Sequence, residues 1–227
     1  MALILQIDTA TEHASICLSK NGKALYQMES ADQKNHGSFL QPAIQELMQK
    51  SQLSLSELDA VAVTEGPGSY TGLRVGLASA KGLCFALNKP LITINTLKLI
   101  AASIIHANLE TENDYWYAPM IDARRMEVFT AIYDCQLNLI DAPNAKILDE
   151  NAFLETLNVK PLIFSGSGAP KFKAICSNTN AHFSSLQHQA SDMSALAYND
   201  LSSKTFANLA YCEPFYLKSF YSPPAKK

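Results

Sequence analysis

Ala60-Val61-Ala62-Val63-Thr64-Glu65-Gly66-Pro67-Gly68-Ser69-Tyr70-Thr71-Gly72-Leu73-Arg74-Val75-Gly76-Leu77-Ala78-Ser79-Ala80-Lys81-Gly82-Leu83 is the stretch on which the reading of the fold turns. It opens as a short apolar, β-branched run, the pattern of a buried strand, turns through Gly66-Pro67-Gly68, and continues at helical spacing. Ser69 or Thr71 is placed to cap that helix, since either hydroxyl can accept from the unpaired amides of the first turn. A glycine corner feeding a helix N-terminus also gathers backbone N–H groups at the positive end of the dipole, where anions bind. Two familiar nucleotide fingerprints nevertheless fail. A Walker loop needs Lys and then Ser or Thr after its last glycine, and Gly72 is followed by Leu73 and Arg74. A dinucleotide fingerprint needs its third glycine where Thr71 stands, and normally uses the first strand of the fold.

Within the helix, Gly72, Gly76 and Ala80 recur every fourth residue, with Ser79 and Gly82 nearby, leaving one side almost bare. Each interior glycine costs roughly 0.5–1 kcal/mol relative to alanine, so several together call for a compensating close approach. Two neighbours satisfy that requirement: the chain's own sheet, or a helix from another subunit packing by small-xxx-small spacing.

Composition narrows the class. The 227 residues suffice for one large or two small domains with a real apolar core. A net charge of −3 argues against strong nucleic-acid binding by the chain alone, because phosphate neutralisation needs a concentrated basic face. The five cysteines are scattered and lack C-x-x-C spacing, the pattern of reduced thiols in a cytosolic protein. The start Met1-Ala2-Leu3-Ile4-Leu5-Gln6-Ile7-Asp8 is too short and uncharged for a signal peptide, and no apolar run reaches membrane-spanning length.

Outward from the central stretch, Leu3 to Ile7 reads as a strand ending in Asp8-Thr9-Ala10-Thr11. Ala14 to Ser19 and Ala24 to Ser30 pair through Asn21-Gly22, the favoured type I′ turn. Phe39, Leu40, Ile44, Leu47 and Met48 mark a helix capped at Ser38, with Pro42 tolerated in its first turn. Beyond the glycine-marked helix, a strand at Leu91 to Ile94 and a helix from Thr96 to about His106 close a first lobe, 1–106. A second lobe, 107–227, repeats the order: strands at Trp116 to Ile121, Met126 to Tyr133 and Leu137 to Ile140, a helix from Asp149 to Leu157, and a strand at Leu162 to Ser165. The stretch from about Asp192 to Ala210 reads as helix interrupted near Ser202, and the tail from about 205 is expected to pack back on the first lobe.

The chemistry-bearing residues are sparse. His36 and His182 lack a second imidazole one turn on, and His182 and His188 are six apart, so no helical metal site is readable. His13 and Cys17 have the spacing but fall in a hairpin. No Gly-x-Ser-x-Gly elbow occurs. Asp8, at the end of the first strand, satisfies turn amides on the local reading. Arg74, Arg124 and Arg125 suit surface pairing, a partner carboxylate, a nucleotide phosphate or an RNA backbone.

Taken together, Ile7-Asp8-Thr9-Ala10-Thr11, His36-Gly37-Ser38, Gly66-Pro67-Gly68-Ser69-Tyr70-Thr71-Gly72-Leu73-Arg74, Asp122-Ala123-Arg124-Arg125-Met126-Glu127-Val128 and Pro214-Phe215-Tyr216-Leu217 resemble the TsaB (YeaZ) family. Tyr70, where Phe is usual, and Lys218, where Arg is common, are mild departures. The resemblance implies an α/β fold of two lobes, each a mixed sheet with helices, like actin, Hsp70 and the sugar kinases. It implies a non-catalytic subunit that pairs with TsaD and works with the ATPase TsaE. That complex transfers a threonylcarbamoyl group from its adenylate to N6 of the adenosine beside the anticodon of ANN-decoding tRNAs. ATP or ADP and a divalent metal would sit on the partners, tRNA would be met only through the complex, and a homodimer would form when TsaD is absent. The partner-facing residues expected on this reading are His36, Phe39, Leu40, Ala43, Leu47, Tyr70, Leu73, Gly76, Leu77 and Ala80. The candidate nucleotide- or anion-binding residues are Asp8, Thr9, Gly66, Gly68, Ser69 and Arg74. The competing expectation is an ATP-dependent small-molecule kinase of the same superfamily. By that resemblance Asp8 would instead face a phosphate or magnesium ion, with Gly166-Ser167-Gly168 as a remnant of the second loop.

Overall fold

The computed structural model describes residues 2–30, 36–107 and 115–218. Strand β1 (Leu3–Asp8) is buried along its whole length because it is the middle of a five-stranded sheet, flanked by β2 (Ala14–Lys20) and β4 (Ala60–Gly66). β1 pairs antiparallel with β2 and parallel with β4; β3 (Lys23–Ser30) and β5 (Leu91–Asn95) form the edges. The β2–β3 turn takes positive φ at both Asn21 and Gly22 (51° and 78°), the type I′ geometry that the pair favours. Helix α1 (His36–Ser51) lies on β2 and β3, and α2 (Tyr70–Leu87) covers β4.

The second sheet repeats the plan. β6 (Trp116–Asp122), β7 (Glu127–Tyr133) and β8 (Leu139–Ile147) form an antiparallel meander, and β9 (Leu162–Ser165) and β10 (Ala181–Phe183) extend it in parallel beyond β6. The order 8-7-6-9-10 matches 3-2-1-4-5 strand for strand, so the duplicated architecture is present although the two sequences share no repeat. Phe153, Phe164 and Phe172 stack in its core, where short helices α4 (Leu154–Leu157) and α5 (Ala169–Lys173) cover the outer face.

Helix α3 (Thr96–Ala107) joins the lobes. It starts on the Asn95 side chain, whose Oδ1 accepts from the Leu97 and Lys98 amides, and it is apolar all round because both sheets bury it. Leu99 packs with the first sheet, while Leu97, Ile100, Ile104 and Ile105 pack with Tyr117, Ile121 and Ile163 of the second.

Three sequence expectations shift. β8 runs to Ile147 although Pro143 interrupts its pattern, which is tolerated because β8 is an edge strand. The long C-terminal helix divides into a 3₁₀ turn at Ala190–Met193 and α6 (Ser194–Ser202), and Lys204 at φ 58° ends it. The return to the first lobe begins before 205: Ala190, Met193 and Ala197 already pack with Ile4, Ala62 and Ile92. From there Ala207 N–H donates to Leu91 and Phe215 N–H to Glu65, laying the tail beside β4 and α2.

Candidate functional site

The C-terminal ends of β1 and β4 meet the start of α2, the corner where the sequence places its candidate anion site. Asp8 ends β1 at 1% exposure. Its Oδ1 accepts from the Thr64 hydroxyl (2.9 Å) and the Ala10 amide (3.1 Å). Its Oδ2 faces His188 Nε2 at 3.2 Å, a charge contact that is not aligned as a hydrogen bond. Burial alone would push the Asp8 carboxyl up, but His188 and the two donors outweigh it and hold the group below the ordinary value. Asp192 lies close by, its carboxyl raised by burial although Oδ2 accepts from the Gln189 amide. His188, 7% exposed, comes from the segment that carries the chain back from the second sheet. Asp8 therefore finds its partners, Thr64, Ala10 and His188, within the chain.

The glycine corner is filled as well. The Thr9 hydroxyl donates to the Gly72 carbonyl (2.7 Å), and the Ser69 amide donates to Ala10 (2.7 Å). Ser69 Oγ accepts from the Gly72 amide at 3.3 Å, so Ser69, not Thr71, is the cap. A Cβ at Gly72 would overlap the Thr9 carbonyl oxygen, and one at Gly76 would overlap Thr9 Oγ1. Gly68 lies equally tight against the Ala10 carbonyl, and Gly66 against that of Phe215. Of the six candidate anion-binding residues, Asp8, Thr9 and Gly66 are buried in this corner, Gly68 is half-buried, and Ser69 and Arg74 are exposed. Gly166-Ser167-Gly168 forms the matching corner of the second lobe, with Gly166 pressed on the Met120 carbonyl and Ser167 Oγ accepting from the Asp122 amide. A cavity of about 510 Å³ remains between the lobes, bordered by Thr11, His13, Ser167, Lys173, Phe183 and His188.

The expected partner face is corrected in part. Leu40, Ala43, Leu47, Leu73, Leu77 and Ala80 lie in the chain's own core, and Gly76 is covered by Thr9. Phe39 is half-buried, Tyr70 is exposed, and the His36 side chain lies outside the described residues. The reason is geometric: the stripe Gly72–Gly76–Ala80 turns toward β1 and β4, whose close approach requires it. The same helix carries a second small-residue stripe, Ala78–Gly82–Ala86, which is exposed together with Phe85 at 82%. A Cβ at Gly82 would meet nothing. Beside it, α1 presents Gln41, Pro42, Gln45 and Gln49, and Gln41 Nε2 donates to Ser79 Oγ at 3.2 Å. The charges that flank this two-helix face are Glu46 and Lys50, paired with each other on α1, and Arg74 and Lys81 on α2.

Among the described residues no three His, Cys, Asp or Glu side chains gather where they could hold a metal ion, and no helix is long and apolar enough to cross a membrane. Sequence reasoning missed His188 as the partner of Asp8, for no local pattern links residues this far apart. It also missed the outer stripe, although its spacing was equally visible.

Two lobes on one strand plan, joined by a buried helix, give the chain a fold of the kind found in sugar kinases. An ATP-glucomannokinase from Arthrobacter sp. strain KM shares this fold (TM-score 0.51, 13% identity, 90% of this chain and 100% of that one). The family model of TsaD, tRNA N6-adenosine threonylcarbamoyltransferase, matches residues 29–222. The tRNA threonylcarbamoyladenosine biosynthesis protein TsaB of Bacillus subtilis (strain 168) is 30% identical over 72% of this chain and 70% of its own. TsaB of Haemophilus influenzae is 37% identical over 56% of this chain and about half (51%) of its own. YeaZ from Pseudomonas aeruginosa superposes with a TM-score of 0.81 at 26% identity, covering 96% of this chain and 100% of that one. The chain belongs to the TsaB (YeaZ) family.

Proposed function

We propose that this protein is the non-catalytic activator subunit of a threonylcarbamoyl transferase acting on tRNA, pairing with TsaD through the outer face of α1 and α2. The carrying observation is the contrast between a carboxylate enclosed by the chain's own groups and a helix face with no cover. Asp8, the carboxylate that a kinase of this class would turn toward metal or phosphate, is buried against His188. The stripe Ala78, Gly82 and Ala86 is itself uncharged, as expected at an interface core, with Arg74 and Lys81 at its margin, and its small residues let a second helix come close. ATP, the divalent metal and the reacting groups then belong to TsaD and TsaE. In their absence the same face serves a homodimer.

Gly82→Arg tests this directly. The variant is expected to fold normally, to elute as a monomer and to fail to co-elute with TsaD. tRNA modification in a reconstituted mixture with TsaD and TsaE should fall to the level seen without the chain. Retention of pairing by the variant would overturn the assignment of the face. Turnover of a small substrate with ATP by the chain alone would replace the whole reading with the kinase alternative.

A further inference from the structure

At the mouth between the lobes, one turn before the exposed stripe of α2, lies an open groove of about 750 Å³ that neither the closed corner nor the helix face uses. Its first wall is Tyr70 and Arg74. The Tyr70 and Tyr216 rings lie 5.4 Å apart at 30°, the Arg74 guanidinium sits 4.0 Å from the Tyr70 centroid, and its Nε donates to the Tyr216 hydroxyl at 3.2 Å. Tyr70 and Tyr216 are 36% and 39% exposed. The opposite wall is Arg124, with Phe129 beside it. Arg124 sits at φ 68° in the β6–β7 turn, its amide held by Asp122 Oδ1.

The charges are unequally committed. Lys171 is matched by Asp122 and Lys218 by Glu127, each at 2.5 Å. Among the described residues no carboxylate lies within 4 Å of the Arg74 or Arg124 side chain. Glu12 and Asp122 border the adjoining cavity on the far side of Arg124. A chain of net charge −3 thus holds two guanidiniums without a carboxylate partner across an aromatic-lined groove, Arg74 engaged with Tyr70 and Tyr216. We infer that this groove receives an unpaired nucleotide of an RNA strand, its base against the Tyr70–Tyr216 pair and its phosphate between Arg74 and Arg124.

Stacking rings beside a cationic track are how unpaired strands are held, and guanidinium forks match phosphate oxygens. A free nucleotide would call on the glycine corner, which the chain's own backbone fills. An acidic protein segment would satisfy the arginines and leave the rings unused. The inference rests on the proposed function only for the source of the strand, since RNA carried by a partner on the neighbouring α2 face would pass this groove.

The test measures binding of a fluorescent anticodon-loop hairpin by anisotropy, at several salt concentrations, for the TsaD-bound chain and for the chain alone. The Arg74→Gln/Arg124→Gln variant should bind at least tenfold more weakly than the unaltered chain in either form. Its log–log salt slope should fall by about 0.7, the loss of the one phosphate that the two arginines hold on a single strand. Tyr70→Ala should weaken binding about tenfold with the slope unchanged, as lost stacking requires. Both variants should keep their melting temperature and their pairing with TsaD. Hairpin affinity within twofold of the unaltered chain would overturn the inference. So would loss of TsaD pairing in the arginine variant, which would make the groove a protein interface, or competition by free ATP at equal concentration. If the unaltered chain does not pair with TsaD, the proposed function fails, while the measurement on the chain alone still decides this one.

Discussion

The β1–α2 corner and the outer face of α2 stand a helix width apart and are built from the same kinds of residue, with opposite outcomes. At the corner, Gly72 and Gly76 admit the Thr9 backbone and hydroxyl to van der Waals distance, and Asp8 is enclosed by Thr64, Ala10 and His188. On the outer face Ala78, Gly82 and Ala86 repeat the spacing and touch nothing. Small residues along a helix therefore record that something must come close, and only the tertiary neighbours say whether it is the chain itself. The energetic signatures differ accordingly: changes at the corner should cost stability, and changes on the face should cost association.

The sharpest break of that contrast is His188→Ala. Removing His188 leaves the buried Asp8 carboxylate without its Oδ2 partner, which typically costs about 3 kcal/mol or more. For a chain of this size the melting temperature should fall by about 6 °C or more. Asp8→Asn/His188→Ala should recover part of the loss, which calorimetry of the double-mutant cycle would detect. The pH dependence has a definite sign. The Asp8 carboxyl titrates lower in the folded chain than the ordinary 3.8, so its stabilisation is complete above that value. It disappears as pH falls through the folded value, and Asp8→Asn should flatten the stability curve in that acid window. A melting temperature unchanged in His188→Ala would mean that the pair holds nothing together.

Next in size is the paired comparison Gly76→Leu against Gly82→Leu. At Gly76 the new side chain meets Thr9 and Val63 on a buried strand end, and overpacking of this kind costs about 1–3 kcal/mol or more. At Gly82 the side chain enters solvent, and leaving glycine for a better helix former gains up to about 0.8 kcal/mol. Thermal melts should move in opposite directions, while association is lost at Gly82. Equal destabilisation at both positions would erase the distinction between the two stripes.

Much of the fold was legible because strands and turns announce themselves locally. The apolar run of β1, the Asn21-Gly22 turn and the strand–turn–helix passage through Gly66 place the first sheet before any coordinate is known. The second lobe was harder. β10 has three residues and α5 five, too short for a period, and α5 begins with Pro170 near its start. The corner was legible as a place but not as an environment: Asp8 and Thr9 were visible, whereas His188 joins them only through the crossover from the second sheet. The direction of α2 was illegible for a simpler reason. Glycine and alanine contribute almost no hydrophobic contrast, so a helix rich in them hides which side faces in.

The smallest effect sought is the most selective for the outer face. Phe85 is 82% exposed on the side that carries Ala78 and Gly82, and a large ring held in water is a cost that a lone chain has no reason to keep. Phe85→Gln removes the ring without adding charge, and its effect on folding should stay within about 0.5 kcal/mol because the side chain has no cover to lose. Aromatic anchors at interface centres often account for 2 kcal/mol or more, so pairing with TsaD should weaken about thirtyfold in sedimentation or calorimetric titration. Weakening of that order with an unchanged melt would locate the contact at the C-terminal half of α2. Undiminished affinity in Phe85→Gln, alongside loss in Gly82→Arg, would instead shift the contact toward α1 and its glutamine row.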